Sequence, residues 1–102
     1  MTDLTIGQAQ RMTAPAPFAL LTSADKEGKT NIMAVSWWTY LSNHPVKIGA
    51  CLSNKGYSGG NIREGAEFAI CVVDEQLKDS ALQCGRCSGR STDKAAGLGI
   101  EL

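Results

Sequence analysis

Four short apolar segments stand out in the pattern of hydrophobic and polar positions, and each predicts a β-strand. They span residues 18–23, 30–39, 46–53 and 67–73. The first two are separated by a polar turn over residues 25–29, in which Gly28 is free to take a positive φ. This hairpin-like spacing favours an antiparallel sheet over parallel strands joined by long helices.

The second predicted strand has apolar residues on both of its sides. Its alternating positions are Ile32, Ala34, Ser36 and Trp38 on one side and Asn31, Met33, Val35 and Trp37 on the other. Neither side is uniformly polar, so we expect both to contact protein or ligand rather than bulk water. Asn31 and Trp37 would share a face of a regular strand, separated by roughly 20 Å.

The start of the chain carries a weaker pattern. Ile6, Ala9 and Met12 have helical spacing and predict either a short helix or an arm over residues 1–14. Pro15 and Pro17 would end such a helix and favour extended backbone. Before any of the predicted strands, the chain therefore has at most one short helix.

Two further short helices are predicted between and after the later strands. A polar, glycine-rich loop over residues 54–60 leads into about one helical turn over residues 61–64. Asp74 is placed to cap a helix that ends at Gly85 and turns Leu77, Ala81 and Cys84 to one side. Residues 86–97 are polar and predict no regular element.

Length and charge limit the classes of function. The 102 residues allow one domain. Ten basic and ten acidic residues give no net charge and no basic field for nucleic acid. No apolar run approaches the ~20 residues that a membrane span needs. Four cysteines without a visible secretory signal predict a reducing, cytoplasmic setting rather than a disulfide framework.

The glycine-rich loop is the first candidate site. Lys55 and the hydroxyl of Ser58, together with flexible backbone amides and a following helix, are the parts of a phosphate site. The segment is neither a P-loop nor a dinucleotide-binding fingerprint. An ordinary surface loop remains the alternative from composition alone.

Cys84 and Cys87 form the second candidate, because a CxxC motif holds a metal or forms a redox pair. A structural zinc site needs a second pair of ligands, and His44, the only histidine, lies forty residues away. Two incidental thiols at a helix end are the alternative.

The tandem tryptophans Trp37 and Trp38 are a third candidate. They fit a core or an interface as well as a cofactor wall.

Six segments occur in a specific order along the chain. They are a proline-led first strand, residues 31–37 (Asn-Ile-Met-Ala-Val-Ser-Trp), His44-Pro45, residues 55–62 with Lys, Ser, Asn and Ile at fixed spacing, residues 67–70, and residues 84–94 containing Cys-Gly-x-x-Ser-Gly-Arg-x-x-Asp-Lys. This series resembles the flavin reductase-like family, in particular its flavoredoxin-type members. The resemblance runs from Pro15 to Leu98.

The resemblance implies an all-β fold with short helices, the FMN-binding split β-barrel of Greek-key type. It would form one domain over residues 1–102, with the N-terminal arm at residues 1–14. Members of the family are generally longer, so the barrel is expected to be incomplete at the C-terminal end of this chain. Such an unclosed sheet would expose edges and apolar faces.

The resemblance also implies a set of cofactor-binding residues, which are Asn31, Ser36, Trp37, Lys55, Ser58 and Lys94. Asn31, Ser36 and Trp37 match positions beside the isoalloxazine ring. Ser58 stands where the family usually has a threonine whose hydroxyl helps bind the phosphate. Lys94 matches a lysine that contacts the cofactor, and Lys55 is a further phosphate contact. No catalytic side chain and no metal ligand is implied.

The function implied is that of an FMN-binding oxidoreductase in electron transfer. NADH, NADPH or a partner protein would supply the electrons, and the family is typically homodimeric. Two alternatives belong to other classes of protein. One is a non-catalytic truncated fragment or binding module of the same family, and the other is a small metal-binding protein that uses the CxxC motif.

Overall fold

A computed structural model describes residues 3–12, 18–65 and 67–101 of the chain. The strands are β1 (Ala19–Ala24), β2 (Thr30–Val35), β3 (Trp38–Asn43), β4 (Val46–Ala50) and β5 (Phe68–Val72). The helices are α1 (Ile6–Met12), α2 (Tyr57–Gly65), α3 (Lys78–Cys84) and α4 (Lys94–Leu98). None of the helices in the described ranges is long and apolar enough to cross a membrane. The predicted break at Pro15 and Pro17 lies outside the described residues.

Three strands form an antiparallel sheet in the order β2–β1–β5, with β1 in the centre. Ala19 and Leu21 on one face of β1 pack with Ile62 of α2. Leu20 on the other face packs with Ala81 and Cys84 of α3. Because helices cover both faces, β1 is a continuous apolar run rather than an alternating one. The buried strand predicted over residues 18–23 is present, shifted by one residue.

The second predicted strand is in fact two strands in two different sheets. β2 ends at Val35, and the chain leaves the first sheet at Ser36 and Trp37 before β3 pairs with β4. The expectation that Asn31 and Trp37 share one face of a regular strand is therefore wrong. The apolar pattern continues through both strands, so it contains no signal for the change of sheet.

The hairpin of β3 and β4 occupies residues that were predicted as a loop and a longer strand. β3 continues to Asn43, so the turn is limited to His44 and Pro45, which are joined by a cis peptide bond. β4 ends at Ala50 instead of residue 53. Among the described residues the two sheets are separate and do not close into a barrel.

Helix α2 begins inside the predicted glycine-rich loop. The backbone closes into turns where Gly56 donates to the carbonyl of Ser53 and Gly60 donates to the carbonyl of Gly56. A Cβ on Gly59 would lie 2.8 Å from the carbonyl oxygen of Ser53, so only glycine fits this approach. At Gly59 this close approach requires glycine despite its helix-propensity cost of about 1 kcal/mol.

The C-terminal part of the chain contains one predicted and one unpredicted helix. Helix α3 ends at Gly85 as predicted, but its N-cap is Leu77 and not Asp74. Asp74 lies three residues earlier, where it accepts a hydrogen bond from the Leu77 amide at 3.1 Å and holds the turn before the helix. Helix α4 lies within the segment predicted to be irregular. Asp93 caps it by accepting from the Ala96 amide at 3.1 Å, and Gly99 ends it with φ of 65°. These signals are present in the sequence, but five residues carry too little periodicity to reveal a helix.

Candidate functional site

A cavity of about 280 Å³ lies along β2, which is an edge strand of the described sheet. We call it the edge pocket. Residues of β2 form its floor, the first turn of α2 forms one wall, and the segment from the end of α3 to the start of α4 forms the other. Its lining residues used below are Asn31, Tyr57, Ser58, Cys84, Cys87, Gly89, Arg90 and Lys94. Three chain segments far apart in sequence therefore build one pocket.

Asn31 and Ser58 connect the floor to the α2 wall. The amide nitrogen Nδ2 of Asn31 donates to Oγ of Ser58 at 2.7 Å, and both side chains are buried. Oδ1 of Asn31 is buried and has no hydrogen-bond partner within the described part of the chain. A buried acceptor without a partner costs about 1–3 kcal/mol, so this atom favours a donor from a ligand or a water.

Gly89 brings the opposite wall into contact with Asn31. A Cβ at position 89 would overlap Oδ1 of Asn31 and would lie 3.0 Å from the ring of Tyr57. A glycine is therefore required here, because any side chain would displace the buried amide. The close approach holds the segment after α3 against the floor of the edge pocket.

Lys94 places a buried positive charge beside the floor. It is the first residue of α4 and is only 5% exposed. Its Nζ donates to the carbonyl oxygens of Ile32 at 2.7 Å and of Cys84 at 2.8 Å. An ammonium group has three N–H donors, so these two bonds leave one for another acceptor. Lys94 thus ties β2 to the end of α3 and brings a charge to the pocket wall.

The N-terminus of α2 and Arg90 form the polar end of the edge pocket. The first amides of a helix have no partner within the helix, so the amides near Ser58 are available to an acceptor. Arg90 donates from Nη2 to the carbonyl oxygen of Lys55 at 2.9 Å, and its guanidinium lies 5.9 Å from the centre of the Tyr57 ring. A helix N-terminus and a guanidinium together favour an anion.

Lys55 lies next to the edge pocket but does not line it. It faces an adjoining groove of about 320 Å³ that also contains Asp25, Glu27 and Glu64. Arg90 and Tyr57 line both this groove and the edge pocket. Arg90 therefore lines the same pocket as Asn31 and Ser58, whereas Lys55 lines only the adjoining groove.

Ser36 and Trp37 line a shallow cleft of about 230 Å³ beyond the end of β2. The cleft shares Met33 and Ala34 with the edge pocket, so the two spaces adjoin. Trp37 is 65% exposed. The six predicted site residues are consequently divided, with Asn31, Ser58 and Lys94 in the edge pocket and Ser36, Trp37 and Lys55 beside it.

The two cysteines of the CxxC motif also line the edge pocket. Burial raises the pKa of the Cys84 thiol, the charge of Lys94 opposes this, and Cys87 adds a smaller rise. Within the described ranges no group of three or more His, Cys, Asp or Glu side chains is placed to hold a metal ion. Cys51 and Cys71 are exposed and do not join the pair in such a group.

Arg90, Gly89 and Tyr57 are site residues that the sequence reasoning did not single out. Gly89 and Arg90 lie in the motif Ser-Gly-Arg-x-x-Asp-Lys that carries the family resemblance, but the resemblance assigned a role only to Lys94 in that motif. This motif follows the glycine-rich segment after about thirty residues. The sequence therefore does not show that the two segments meet. Only the fold brings Arg90 over Tyr57.

The chain is β-rich with short helices, and it carries a pocket at a sheet edge that is walled in part by the N-terminus of α2. The chain belongs to the flavin reductase-like domain family, whose model matches residues 11–102. This confirms the family predicted from the ordered series of segments. A comparison with curated protein sequences found no match.

Solved structures with the same fold include two flavoredoxins. The flavoredoxin of Desulfovibrio vulgaris (Miyazaki F) is 28% identical with a TM-score of 0.84, and the match covers 96% of this chain and 53% of that one. The flavoredoxin of Methanosarcina acetivorans is 26% identical with a TM-score of 0.74, covering 92% of this chain and 46% of that one.

An FMN-binding protein of Thermus thermophilus, solved with bound p-hydroxybenzaldehyde, is 26% identical with a TM-score of 0.75. That match covers 81% of this chain and 47% of the other. These likenesses confirm the predicted FMN-binding split-barrel fold. The chain spans about half the length of the solved structures that it matches.

Proposed function

We propose that this chain binds FMN in the edge pocket and serves as a flavin-dependent oxidoreductase in electron transfer. The observation that carries the proposal is the meeting of three features in one pocket. These are the unpartnered buried acceptor of Asn31, the buried charge of Lys94 and the N-terminal turn of α2. The family and the similarity to flavoredoxins support the same function.

The residues of the pocket fit the chemical groups of FMN. Its phosphate is an anion, which suits the α2 amides, the hydroxyl of Ser58 and the guanidinium of Arg90. Its ribityl hydroxyls and ring amide are donors, which suit Oδ1 of Asn31. Lys55 adds positive charge from the adjoining groove, and Lys94 adds it from the wall. The resemblance did not assign Arg90 to the cofactor; its place in the edge pocket adds it to the proposed phosphate contacts.

The flat part of the cofactor needs an apolar wall next to the polar end. Ser36 and Trp37 line the cleft that adjoins the edge pocket through Met33 and Ala34. The edge pocket alone, at about 280 Å³, is at the small end of ligand sites, which typically measure about 300–1,000 Å³. A cofactor anchored in the pocket would therefore extend into the cleft beside Trp37.

In this proposal the protein supplies binding and orientation. When bound, FMN supplies the redox chemistry of its isoalloxazine ring. Asn31 and Ser58 hold each other in place by their hydrogen bond, and Lys94 fixes the edge of β2 under the pocket. A reduced nicotinamide or a partner protein is the proposed electron donor. The four free cysteines support a reducing, cytoplasmic setting.

The proposal is tested by titrating FMN fluorescence with the purified chain, with riboflavin as the matched ligand without a phosphate. We expect saturable quenching of FMN at micromolar protein and much weaker quenching of riboflavin. Oxidation of NADH and NADPH by the loaded protein tests the donor separately. A folded circular dichroism spectrum without saturable FMN binding would overturn the proposed site and favour a non-catalytic member of the family.

Two variants test the phosphate end of the pocket. Ser58→Ala and Arg90→Ala should each weaken FMN by about 1–3 kcal/mol, because hydrogen bonds to charged groups have about that strength. Ser42→Ala and Lys47→Ala, on the hairpin away from the pocket, serve as controls and should leave the affinity unchanged. Unchanged affinity in both pocket variants would remove the phosphate assignment.

A homodimer is the remaining part of the proposal. Tyr40, Leu41 and Val46 expose large apolar side chains on the hairpin, and such patches favour association. Sedimentation equilibrium of the native chain and of Leu41→Asp should give a dimer for the first and a monomer for the second. Sedimentation of the native chain as a monomer at about 100 times the concentration used for FMN binding would exclude the dimer.

A further inference from the structure

Cys84 and Cys87 have no role in the proposed binding of FMN, yet both line the edge pocket. Cys84 is the last residue of α3, and Cys87 follows after a turn that contains Gly85 and Arg86. The four cysteines of the chain are free thiols. Cys51 and Cys71 are both exposed and lie apart in the chain: Cys51 directly follows β4, and Cys71 is in β5.

The backbone brings the two cysteines close together. Gly85 keeps right-handed helical dihedrals, with φ of −80° and ψ of −13°, so the turn continues the winding of α3. The Cβ atoms of residues three apart on helical backbone lie about 5–6 Å apart. A disulfide needs Cβ atoms about 3.5–4.5 Å apart, so a small movement of the bend at Cys87 would bring the two sulfurs into bonding range. The thiol of Cys87 donates to the carbonyl of Gln83 at 3.4 Å, so its Sγ folds back onto the end of α3.

The two thiols have different surroundings, which suit different roles. Cys84 is buried among Leu20, Ile32 and Ala81, whereas Cys87 is partly exposed at the pocket wall. Reagents in solution therefore reach Cys87 first. Lys94 donates to the carbonyl of Cys84, which keeps an ammonium charge next to the buried thiol. Burial raises the pKa of Cys84, and this charge acts in the opposite direction.

We propose that Cys84 and Cys87 form a redox-active dithiol that small disulfides of the glutathione class oxidise to an intramolecular disulfide. The thiolate of Cys87 attacks one sulfur of the small disulfide, which forms a mixed disulfide and releases one small thiolate. The thiolate of Cys84 then attacks Sγ of Cys87 and releases the second. The pair loses two electrons and two protons. The electrons reduce the small disulfide to two thiolates, and these thiolates bind the two protons.

The proposal does not depend on FMN binding, and it differs from a metal site. A tetrahedral zinc site needs four ligands, and no third His, Cys, Asp or Glu joins the pair in the described residues. A dithiol needs only the two sulfurs and access from solvent, both of which the edge pocket supplies. The disulfide would form in the wall of the pocket, between the α3 end held by Lys94 and the glycine contact at Gly89.

The test uses the full chain with Cys51→Ser and Cys71→Ser, so that only the pair remains. This background and the same chain with Cys87→Ser are incubated with excess oxidised glutathione at about pH 8, where thiolates form. Free thiols are counted, and the intact mass is measured without reductant. We expect the background to lose both thiols and two hydrogens, to retain no glutathione, and to recover both thiols with dithiothreitol.

Arg86 makes the product easy to identify, because trypsin cleaves after it, between the two cysteines. A disulfide links the peptides 79–86 and 87–90, which otherwise separate. The Cys87→Ser chain should keep the Cys84 thiol under the same conditions. Glutathione that stays attached to Cys87 with Cys84 free, no loss of thiols in the background, or equal loss of the Cys84 thiol without Cys87 would each overturn the proposal.

Discussion

The three-stranded sheet and the β3–β4 hairpin have strands of five or six residues with similar apolar content, but they differ in burial. Ala19 and Leu21 in the centre of the sheet are fully buried, whereas Tyr40, Leu41 and Val46 on the hairpin are more than 60% exposed. The sheet has α2 on one face and α3 and α4 on the other. On the hairpin, only Trp38 and Ala50 at its base join a buried cluster, which they share with Ile62 of α2.

The difference in burial between the sheet and the hairpin corresponds to the position of the edge pocket. The edge pocket forms where the covered sheet meets the turns of α2 and the segment after α3, so its polar atoms are fixed by buried packing. No residue of the hairpin lines the edge pocket; Trp38 and Ala50 at its base pack against the buried cluster of the sheet, and most of its other side chains are exposed. A strand's apolar sequence therefore predicts a strand but not whether other elements cover it.

The largest effect should come from truncating a side chain of the covered sheet. Leu21→Ala removes a fully buried side chain between α2 and β5 and should lower the free energy of unfolding by about 2–5 kcal/mol. Val46→Ala on the hairpin should change it by less than about 0.5 kcal/mol. Urea unfolding followed by circular dichroism measures both, and equal losses would show that the hairpin is covered in solution.

A second effect of similar order should follow from removing the Lys94 ammonium. Lys94→Met leaves the carbonyls of Ile32 and Cys84 without their donor, at a cost of about 1–3 kcal/mol for each unsatisfied group. Lys47→Met is the control, because Lys47 is exposed on β4. If urea unfolding gives the same stability for the native chain and Lys94→Met, the two carbonyls have other partners.

A smaller difference in stability loss should distinguish alanine substitutions at two glycines, Gly89 and Gly49, that both have close neighbours. Gly89→Ala collides with the buried amide of Asn31 and should cost about 1–3 kcal/mol of stability. Gly49→Ala on β4 meets only the end of the exposed Leu41 side chain, at 2.8 Å, which is free to rotate away. We expect a change within about 1 kcal/mol there. Thermal unfolding of both variants checks this order, and a larger loss at position 49 would contradict it.

The smallest effect concerns pH. The pKa of Cys84 is raised in the folded state by burial, so above the usual thiol pKa of about 8.5 the folded chain binds more protons than the unfolded one. The contribution of Cys84 is thus fully present below that pH and is lost as the pH rises through the folded pKa. Unfolding of the native chain and Cys84→Ala at pH 7 and pH 10 measures it. A native chain that gains stability relative to Cys84→Ala at the higher pH would contradict the raised pKa.

Much of the fold was predictable because local rules and tertiary packing agree there. The buried run that became β1 and the turn with Gly28, which has φ of 84°, were both predicted from residue type and spacing. The errors lie where neighbouring rules conflict. At Gly59 composition predicted a loop, but the close approach to the Ser53 carbonyl accompanies a helix. At Ser36 an unbroken apolar pattern gave no signal for the change of sheet.

The site followed the same division. The residue types of Asn31, Ser58 and Lys94 indicated a cofactor through the family resemblance, and the fold brings these three into one pocket. Their assignment to FMN stays a proposal, as do the roles of Ser36, Trp37 and Lys55, which lie beside the pocket. The single domain over residues 1–102 also stays a prediction. Arg90 belonged to the motif but was assigned no role, because its neighbours Tyr57 and Lys55 are distant in sequence.

The sequence by itself determined the family, the β-rich class and the residue types available for an anion and for a flat ring, because these depend on composition and order along the chain. Only the tertiary structure decided that Lys94 is buried with two carbonyls, that Gly89 touches Asn31 and that the Cys87 thiol folds back onto the carbonyl of Gln83 in α3. Such contacts join segments many residues apart or depend on dihedral angles at one turn. Local propensities contain neither kind of information, because both are set by how the helices pack against the edge of β2.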